Sequence, residues 1–380
     1  MTVIVAGAGP VGLTAALTLR RAGVPVTVLE AGADLATESR ASTFHPPSLE
    51  MLADLGVIEP MLAQGLVSPT FQYRERGGGI IAELDLGLLA GDTRYPFRLQ
   101  LEQSKFTRIA LPHLPEGTVR FGQAVALGGV TQDATGVTVR TEAGEEFRGD
   151  WLIGADGANS AVRRTLHGTS FEGITYPERF LVGSTAEDLT ALLPGIAAVN
   201  YLFDPAEWLV LLQTPDHWRV LLPTPPDTPD AAELERLPPR LLGVADPGRP
   251  WRVAHTTLYR VHQRIAASFR QGRVLLAGDA AHINNPLGGM GMNSGIHDAV
   301  LLARAVADGD DARLSAVADA RRIVARDHVQ ASTHRNWEKL RSGGASAYAD
   351  ELRALAADPV AARTYLLKSS MIAALRETAA

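Results

Sequence analysis

The first thirty residues constrain the fold of this chain more than any other stretch. Residues 3–6 form an apolar run that predicts a buried strand, and residues 24–30 predict a second strand that ends in Glu30. A glycine-rich turn and the start of a helix lie between the two runs: Gly7, Gly9, Pro10, Val11 and Gly12. In a βαβ unit such glycines allow a tight turn and close approach of a pyrophosphate, and the acid accepts bonds from a ribose. The pattern predicts a dinucleotide-binding unit and leaves FAD and NAD as open alternatives.

A second glycine-rich stretch, residues 273–299, predicts a strand, a tight acidic turn, a loop and a helix. The apolar run 274–277 is followed by Gly278 and Asp279. Four loop residues favour unusual backbone conformations or close approach: Pro286, Gly288, Gly289 and Gly291. Apolar residues then recur at helical spacing from about Asn293. The N-terminus of this helix would face the loop and favour a partner that becomes anionic, such as a reduced flavin.

A third motif, residues 151–163, combines an apolar strand with an Asp-Gly turn, a serine and an arginine. Asp156 ends the predicted strand, and Arg163 lies in the helix that follows. Two interpretations are open. Both residues bind a ligand, or Asp156 only caps the helix and Arg163 pairs locally.

The composition excludes several function classes. The chain has 380 residues, which suggests two domains, and a net charge of −6 gives no electrostatic reason to bind nucleic acid or an anionic membrane. It contains no cysteine, so disulfides, thiolate metal sites and the cysteine pair of flavin disulfide reductases are excluded. No run of ~20 apolar residues predicts a membrane-spanning helix, and no metal site is expected.

The remaining stretches favour a sheet domain and C-terminal helices. Residues 67–100, 118–150 and 170–260 have strand-like patterns. Residues 223–239 are rich in proline and are predicted to form a loop, and Pro359 is predicted to open the last helix. One set of residues in the sheet could line an aromatic pocket or belong to the core: Tyr201, Phe203, Trp208, Trp218 and Arg219.

The three motifs together resemble those of the FAD-dependent aromatic hydroxylases, the single-component (group A) flavoprotein monooxygenases related to p-hydroxybenzoate hydroxylase. The resemblance implies an α/β fold: a Rossmann-like FAD-binding domain of the GR2 (p-hydroxybenzoate hydroxylase) type, interleaved with a β-sheet substrate domain and followed by C-terminal helices. The expected boundaries are 1–70, 98–168 and 262–312 for FAD binding, 71–97 and 169–261 for the substrate domain, and 313–380 for the helices. Because the motifs occur in the family's order, we favour ligand binding by Asp156 and Arg163.

The resemblance also implies roles for individual residues. Asp279 would bind the ribityl or pyrophosphate part of FAD, and the backbone near Met292 and Asn293 would lie against the flavin pyrimidine edge. Pro286 would form part of the wall that faces the flavin ring and the substrate. The full set of expected cofactor contacts is Gly7, Gly9, Pro10, Val11, Gly12, Glu30, Arg40, Gln103, Asp156, Arg163, Gly278, Asp279, Gly289, Gly291, Met292 and Asn293.

The activity implied by the resemblance is hydroxylation of a small aromatic, phenolic substrate by an FAD monooxygenase that uses NAD(P)H and O2. NAD(P)H would reduce FAD, and O2 would form a C4a-hydroperoxyflavin that passes its distal oxygen to the ring. Since only one βαβ fingerprint is present, the nicotinamide would bind transiently. A cytoplasmic monomer or homodimer is expected. Epoxidation, halogenation, reduction or FAD binding without turnover are the alternatives, although the Trp-x-Trp-x-Ile-Pro signature of flavin halogenases is absent.

Overall fold

The computed structural model describes residues 1–37, 41–77, 79–166, 170–342 and 346–379. Arg40, one of the expected cofactor contacts, lies outside these ranges. The strands are β1 (Val3–Ala6), β2 (Val26–Leu29), β3 (Thr43–Phe44), β4 (Leu66–Ser68), β5 (Thr70–Glu75), β6 (Gly79–Asp85), β7 (Arg98–Gln100), β8 (Val119–Arg120), β9 (Val125–Gln132), β10 (Val137–Thr141), β11 (Glu146–Gly149), β12 (Trp151–Gly154), β13 (Phe171–Thr185), β14 (Val199–Phe203), β15 (Leu209–Gln213), β16 (Trp218–Thr224), β17 (Val253–Ala266), β18 (Arg270–Gln271), β19 (Val274–Leu276) and β20 (His282–Ile283).

The helices are α1 (Pro10–Arg21), α2 (Pro46–Asp54), α3 (Ile58–Gln64), α4 (Gln103–Ala110), α5 (Ala161–Thr165), α6 (Leu189–Leu192), α7 (Asp230–Leu242), α8 (Met290–Asp308), α9 (Asp311–Ile323), α10 (Ala331–Arg341), α11 (Ser346–Ala357), α12 (Pro359–Ser369) and α13 (Ile372–Ala379). A π-helical segment, Val324–Gln330, joins α9 to α10 without a break.

A six-stranded sheet carries the three glycine-acid motifs. Its spatial order is β18-β19-β12-β1-β2-β8, and every neighbouring pair is parallel except β18 with β19. The central strands β1, β12 and β19 are apolar and buried, as expected for parallel strands covered on both faces. Because these strands run the same way, the turns that follow them meet at one edge of the sheet, where ligands of open α/β sheets bind.

An eight-stranded sheet forms from three separate parts of the chain. Its order is β20-β17-β13-β16-β15-β14-β5-β6, and only β14 with β5 is a parallel pair. The C-terminal helices cover one face, where Leu340, Leu352 and Leu366 pack with aromatic residues of the sheet. Helix α7 covers the other face through Leu237 and Leu241.

The five residues that could line an aromatic pocket or belong to the core do not share a single surface of the sheet. Tyr201, Phe203 and Trp208 pack on the face covered by the C-terminal helices, whereas Trp218 packs on the opposite face. Side chains alternate along β16, so Arg219 points to the face opposite that of Trp218. The sequence pattern does not show which residues of each strand face the cofactor domain.

Two predicted segments differ from the structure. Residues 230–242, in the proline-rich stretch predicted to form a loop, form helix α7 with Pro238 and Pro239 inside it. Each internal proline costs about 3 kcal/mol, and burial of Leu237 and Leu241 returns about 1.5–3 kcal/mol each. Pro359 opens α12 and not the last helix, because the chain reverses at Met371, whose φ is +70°, and α13 follows.

Two small antiparallel sheets complete the fold. The meander β9-β10-β11 agrees with the strand pattern of residues 118–150. The second small sheet, β3-β7-β4, lies where the chain passes between the two large sheets. One face of this sheet carries Phe44 and Leu99, which are buried in the core of the six-stranded sheet.

Candidate functional site

The turn after β1 brings helix α1 to the edge of the parallel sheet. Gly7 has a φ of +98°, and a Cβ there would lie 2.5 Å from the carbonyl oxygen of Ala155. A Cβ on Gly12 would overlap the carbonyl oxygen of Gly7, whereas a Cβ on Gly9 would meet nothing within 4 Å. Pro10 occupies the first turn of α1, where its missing N–H costs no hydrogen bond. Gly7 and Gly12 therefore serve packing, and Gly9 leaves open space before the free N–H groups of α1.

Glu30 follows β2 and holds the same turn in place. Its Oε2 accepts a hydrogen bond from the backbone N of Ala8 at 2.6 Å, and its Oε1 accepts one from the N of Gly32 at 2.9 Å. A carboxylate has about four acceptor positions, so positions remain for a ligand. The acid expected to contact a ribose is thus fixed beside the glycine turn.

Asp156 holds the start of helix α5. Its Oδ1 accepts a hydrogen bond from Ser160 Oγ at 2.5 Å, and its Oδ2 accepts bonds from the N of Ala161 at 2.7 Å and of Val162 at 3.1 Å. Asp156 therefore caps the helix, as the second interpretation of this motif expected. The motif lies at the expected edge, but its carboxylate is already bound by the protein's own donors.

Arg163 links the turn after β12 to the turn after β19. Its guanidinium donates to the carbonyl oxygen of Ala280 at 2.9 Å and to that of Ala158 at 2.8 Å. It also lies 3.6 Å from the ring centre of Phe171. Burial lowers the pKa of this side chain from its usual value. Its bond to Ala158 is local, as one interpretation of this motif expected, and its bond to Ala280 joins two motifs.

The turn after β19 packs directly on helix α1. Gly278 has a φ of +60°, and a Cβ on it would lie 2.8 Å from Cγ2 of Val11. A Cβ on Gly295 of α8 would lie 2.6 Å from the same methyl group. Asp279 is exposed at this edge. The motifs near residues 7, 156 and 279 therefore converge, with an accessible carboxylate in the third.

A buried ionic network stands behind this turn. Asp298 of α8 is fully buried, and its Oδ2 accepts bonds from the N of Gly278 at 3.2 Å and from His282 Nε2 at 2.7 Å. Its Oδ1 accepts a bond from Nε of Arg321 at 2.7 Å. Burial alone would raise the pKa of Asp298, but Arg321 and His282 outweigh burial and lower it to about 2. Sequence reasoning missed this network, because one arginine in an arginine-rich helix carries no distinguishing signal.

The loop between β20 and α8 makes a tight turn at Pro286. The carbonyl oxygen of Pro286 accepts a bond from the N of Gly289 at 3.0 Å, and Gly288 and Gly289 have φ values of +107° and +65°. Helix α8 begins at Met290 and not near Asn293, because Gly289 in the left-handed conformation caps it. The loop glycines thus allow helix α8 to begin directly after the turn.

The side chain of Asn293 is hydrogen-bonded to the protein's own groups and does not face open space. Its Nδ2 donates to the carbonyl oxygens of Thr43 at 2.8 Å and Gly289 at 2.7 Å, and its Oδ1 accepts from the N of His45 at 2.8 Å. The side chain is fully buried. In the first turn of α8, Gly291 and Met292 are half-buried, and their N–H groups have no acceptor inside the helix. This first turn, and not the Asn293 side chain, is placed to meet a ligand.

Helix α10 supports this loop from behind. Thr333 donates to Oδ1 of Asn284 at 2.8 Å, and Asn336 donates to the carbonyl oxygen of Leu287 at 3.3 Å. At the preceding π-helical segment, Gln330 donates to the carbonyl oxygens of Arg264 at 2.9 Å and Ile283 at 3.1 Å. One face of the C-terminal region therefore holds the loop residues 283–287.

A hydrogen-bond chain fixes the residue before Pro286. Oδ1 of Asn285 accepts from the N of Leu287 at 3.0 Å, and its Nδ2 donates to Tyr176 Oη at 2.8 Å. Tyr176 in turn bonds Gln263 at 2.9 Å and His334 at 3.0 Å. The loop conformation is thus tied to β13, β17 and α10 together.

Of two neighbouring glutamines, the buried one was not expected. Gln103 is the first residue of α4, is half-buried, and donates its backbone N to the oxygen of Ala41 at 3.0 Å. Gln100 is fully buried, and its Oε1 accepts from Thr43 Oγ1 at 2.9 Å. Its Nε2 finds no acceptor among the described residues. A buried amide donor without an acceptor costs about 1–3 kcal/mol, so Gln100 indicates a missing partner.

The residues at this edge fit an FAD molecule. Open space at Gly9 and the free N–H groups of α1 suit a pyrophosphate, and the exposed Asp279 suits a polyol chain. Gln100 and Asn284 each have a buried amide nitrogen without an acceptor within the described part of the chain. A bound heteroaromatic ring with carbonyl oxygens supplies acceptors of the required kind.

Two other classes of site have no support in the described ranges. No helix there is long and apolar enough to cross a membrane. No cluster of three histidine, cysteine, aspartate or glutamate side chains there could hold a metal ion.

Comparison with known proteins also indicates that this chain binds FAD. A family profile described as "FAD binding domain" matches residues 1–332. The chain is 39% identical over 316 residues to para-nitrophenol 4-monooxygenase of Pseudomonas sp. (strain WBC-3), which covers 80% of this chain and 77% of the relative. It is 36% identical to 6-hydroxy-3-succinoylpyridine 3-monooxygenase HspB of Pseudomonas putida (strain DSM 28022 / S16), over 79% of this chain and 77% of the relative. The crystal structure of p-nitrophenol 4-monooxygenase PnpA from Pseudomonas putida DLL-E4 superposes with a TM-score of 0.90 at 34% identity, over 96% of both chains.

Proposed function

The chain belongs to the family of FAD-dependent aromatic hydroxylases, and from this premise we propose that it hydroxylates a small phenolic substrate using FAD, NAD(P)H and O2. The observation that carries the proposal is the convergence of the turns after β1, β12 and β19 beside the N-terminus of α8. Two relatives act, by their names, on a nitrophenol and on a hydroxypyridine. A ring activated by a hydroxyl group is therefore the substrate class we propose.

Bound FAD, reduced by NAD(P)H, supplies the activation of O2 and the transfer of one oxygen atom to the ring. The chain's own groups bind and orient. The N-terminus of α1 and Gly9 would hold the pyrophosphate, and Glu30 would accept a bond from a ribose hydroxyl. Asp279 would accept bonds from the polyol chain, since its carboxylate is exposed at this edge.

The first turn of α8 would favour negative charge on the adjacent edge of the flavin. The N–H groups of Met290, Gly291 and Met292 have no acceptor within the helix, and the helix dipole adds positive potential there. Pro286 would form the wall beside the reacting ring and exclude water from it. We propose no acid–base residue for the substrate from this arrangement.

We further propose that the expected division of the chain applies, with the parallel sheet binding FAD and the eight-stranded sheet covering the substrate. NAD(P)H would bind transiently, because only one βαβ fingerprint is present. A cytoplasmic monomer or homodimer suits an enzyme that consumes reduced nicotinamide, and sizing by light scattering tests the oligomeric state.

The test is a screen of phenols and hydroxypyridines with purified, FAD-loaded protein. We expect at least one compound to accelerate NAD(P)H oxidation and to give a product that carries ¹⁸O from ¹⁸O2. Peroxide release without any oxygenated product across the screen would contradict the proposal and favour FAD binding without hydroxylation. A halogenated or epoxidised product would assign one of the other activities of this scaffold.

A further inference from the structure

Tyr176 lies where strand β13 departs from regular pairing, beside the loop that contains Pro286. The register of β13 with β17 shifts between Thr175 and Arg179, so the residues between them form a bulge. A bulge re-aims the side chains that it carries, and bulges are enriched next to active sites. Tyr176 is only 5% exposed, and its hydroxyl contacts the loop residue Asn285. None of the roles proposed above uses this hydroxyl.

The three groups around the hydroxyl fix the direction of each hydrogen bond that it makes. The amide nitrogen of Asn285 can only donate, so Oη of Tyr176 accepts from it at 2.8 Å. The single proton of Oη goes to Oε1 of Gln263 at 2.9 Å, which can only accept. Nδ1 of His334, 3.0 Å from Oη, must therefore donate. Burial raises the pKa of Tyr176, so the hydroxyl keeps its proton at working pH.

The Asn285 side chain connects this hydroxyl to the backbone of the loop. Its Nδ2 donates to Tyr176, and its Oδ1 accepts from the N of Leu287 at 3.0 Å, across Pro286. The carbonyl oxygen of Pro286 accepts from the N of Gly289 at 3.0 Å. Because Asn285 is 1% exposed, bulk water cannot replace Tyr176 as the acceptor of its Nδ2. The orientation of Pro286 therefore depends on one hydroxyl group of strand β13.

Helix α10 fixes the position of the Tyr176 ring. Trp337 meets this ring edge-on with the ring centres 5.0 Å apart, and His334 stacks on Trp337 at 5.4 Å. Nε1 of Trp337 donates to Oε2 of Glu178 at 3.1 Å, and Glu178 belongs to the same bulge of β13. Since the ring is packed on its own account, a phenylalanine at this position would keep the packing and remove only the hydroxyl.

We propose that Tyr176 is a positioning residue for oxygen transfer, because its hydroxyl holds Asn285 and, through it, the turn at Pro286. The inference rests on the proposed function, in which Pro286 forms the wall that excludes water from the reacting ring. Where the wall shifts, water enters the site. NAD(P)H, O2 and a proton then give NAD(P)+ and hydrogen peroxide, and no oxygen atom reaches the substrate. Tyr176 acts through Asn285 and takes no part in the chemical step.

The first test is amide hydrogen exchange of the FAD-loaded protein without NAD(P)H or substrate, measured by mass spectrometry over residues 283–289. Tyr176→Phe should speed exchange of this segment by about fivefold, which corresponds to the loss of one net hydrogen bond. The N–H groups of Leu287 and Gly289 are the ones affected, because their acceptors are no longer held in place. Exchange over residues 3–29 should not change.

A double-mutant cycle tests whether the hydroxyl acts through Asn285. Asn285→Ala should speed exchange of the loop at least as much as Tyr176→Phe does, because it also removes the acceptor of Leu287. The double variant should exchange no faster than Asn285→Ala alone, since the two groups belong to one path. Tyr95→Phe is the matched control: Tyr95 is a half-buried tyrosine outside this path whose ring packs against Phe97, and its loop exchange should equal that of the unaltered protein.

The second test is the ratio of peroxide to hydroxylated product, measured with any aromatic compound that the screen identifies. Tyr176→Phe should raise this ratio by about the same fivefold factor and leave the KM for the aromatic compound nearly unchanged. A residue that only supported the fold would instead lower the amount of active enzyme and leave the ratio as it was. If Tyr176→Phe does not fold, Asn285→Ala gives both readouts.

Three results would overturn the inference. Exchange over residues 283–289 could stay the same in Tyr176→Phe, exchange could rise throughout the protein, or the effects of Tyr176→Phe and Asn285→Ala could add. Hydroxylation of some compound together with any of these results would leave the proposed function intact. Because the exchange test needs no turnover, it stands by itself if every aromatic compound releases only peroxide with the unaltered enzyme, a result that would remove the proposed function.

Discussion

The turns after β12 and β19 are built from the same kinds of residue but use their acids differently. Asp156 accepts three hydrogen bonds from its own helix, so its carboxylate is part of the scaffold. Asp279 is exposed, and its turn is held instead by Asp298, which lies nineteen residues further on in α8. An acid in such a motif remains exposed to solvent where another group holds the turn.

Among the tests of this comparison, removal of the Asp298 carboxylate should have the largest effect. The Asp298→Ala variant leaves the fully buried guanidinium of Arg321 without its carboxylate. We expect the free energy of unfolding of the apoprotein to fall by about 3–5 kcal/mol, measured by urea denaturation. Asp350→Ala is the matched control, because Asp350 is an exposed acid paired with Arg353, and it should cost less than about 0.5 kcal/mol. A loss of under about 1 kcal/mol in Asp298→Ala would show that the turn is held by other groups.

Acid should weaken the same region through the neighbouring histidine. Burial, and then Arg321, lower the pKa of His297 to about 3, whereas an unfolded histidine titrates near 6.5. The unfolded chain therefore binds one more proton than the folded chain at this residue as pH falls below about 6.5, and stability is lost by about 1.4 kcal/mol per pH unit. Asp298 adds to this loss only as pH falls below the unfolded aspartate pKa of about 3.9 toward its folded pKa of about 2.

The measurement is the change in unfolding free energy between pH 7 and pH 5. His297→Gln should lose about 2 kcal/mol less than the unaltered protein over this range, because one titrating group is gone. His45, whose pKa is lowered in the same direction, keeps part of the dependence in both proteins. Equal losses in the two proteins would mean that His297 is protonated in the folded state.

The smallest expected effect separates the two motif acids directly. Asp279→Asn should weaken FAD binding by about tenfold or more, which is about 1.4 kcal/mol, and leave the unfolding free energy of the apoprotein nearly unchanged. Asp156→Asn should instead cost about 1 kcal/mol of stability through the weakened helix cap. Isothermal titration with FAD and urea denaturation measure both quantities. If Asp279→Asn lowered the unfolding free energy and Asp156→Asn weakened FAD binding, the difference between the two acids would be wrong.

Local motifs were predictable, because a glycine turn and its flanking strand are encoded within a few residues. The pattern of residues 3–30 predicted β1, α1 and β2, and the alternation in residues 118–150 predicted the meander. What the sequence did not reveal depends on contacts between distant segments. Asp298 meets Arg321 only through packing of α8 on α9, and Gln100 meets Thr43 only across two paired strands.

The errors have the same origin. Helix α7 forms in a proline-rich stretch because a sheet face needs cover, and that face is invisible in the local pattern. Trp218 and Tyr201 lie on opposite faces because of the register of the three consecutive strands β14, β15 and β16, which the pattern of one strand does not reveal. Asn293 was expected near the cofactor, but the sequence did not show that its buried side-chain amide binds Thr43 of β3 and Gly289.

The π-helical segment Val324–Gln330 sets the rotational phase of everything that follows it. Gln330, Thr333 and Asn336 recur at intervals of three residues along the side of the helix that meets loop residues 283–287. If the same seven residues took ordinary α winding with none removed, the residue that the wide turn absorbs would rotate α10 by about 100° and shift it by about 1.5 Å. The contact side would then point elsewhere, so the wide winding of this segment is as much a part of the loop's geometry as the loop sequence itself.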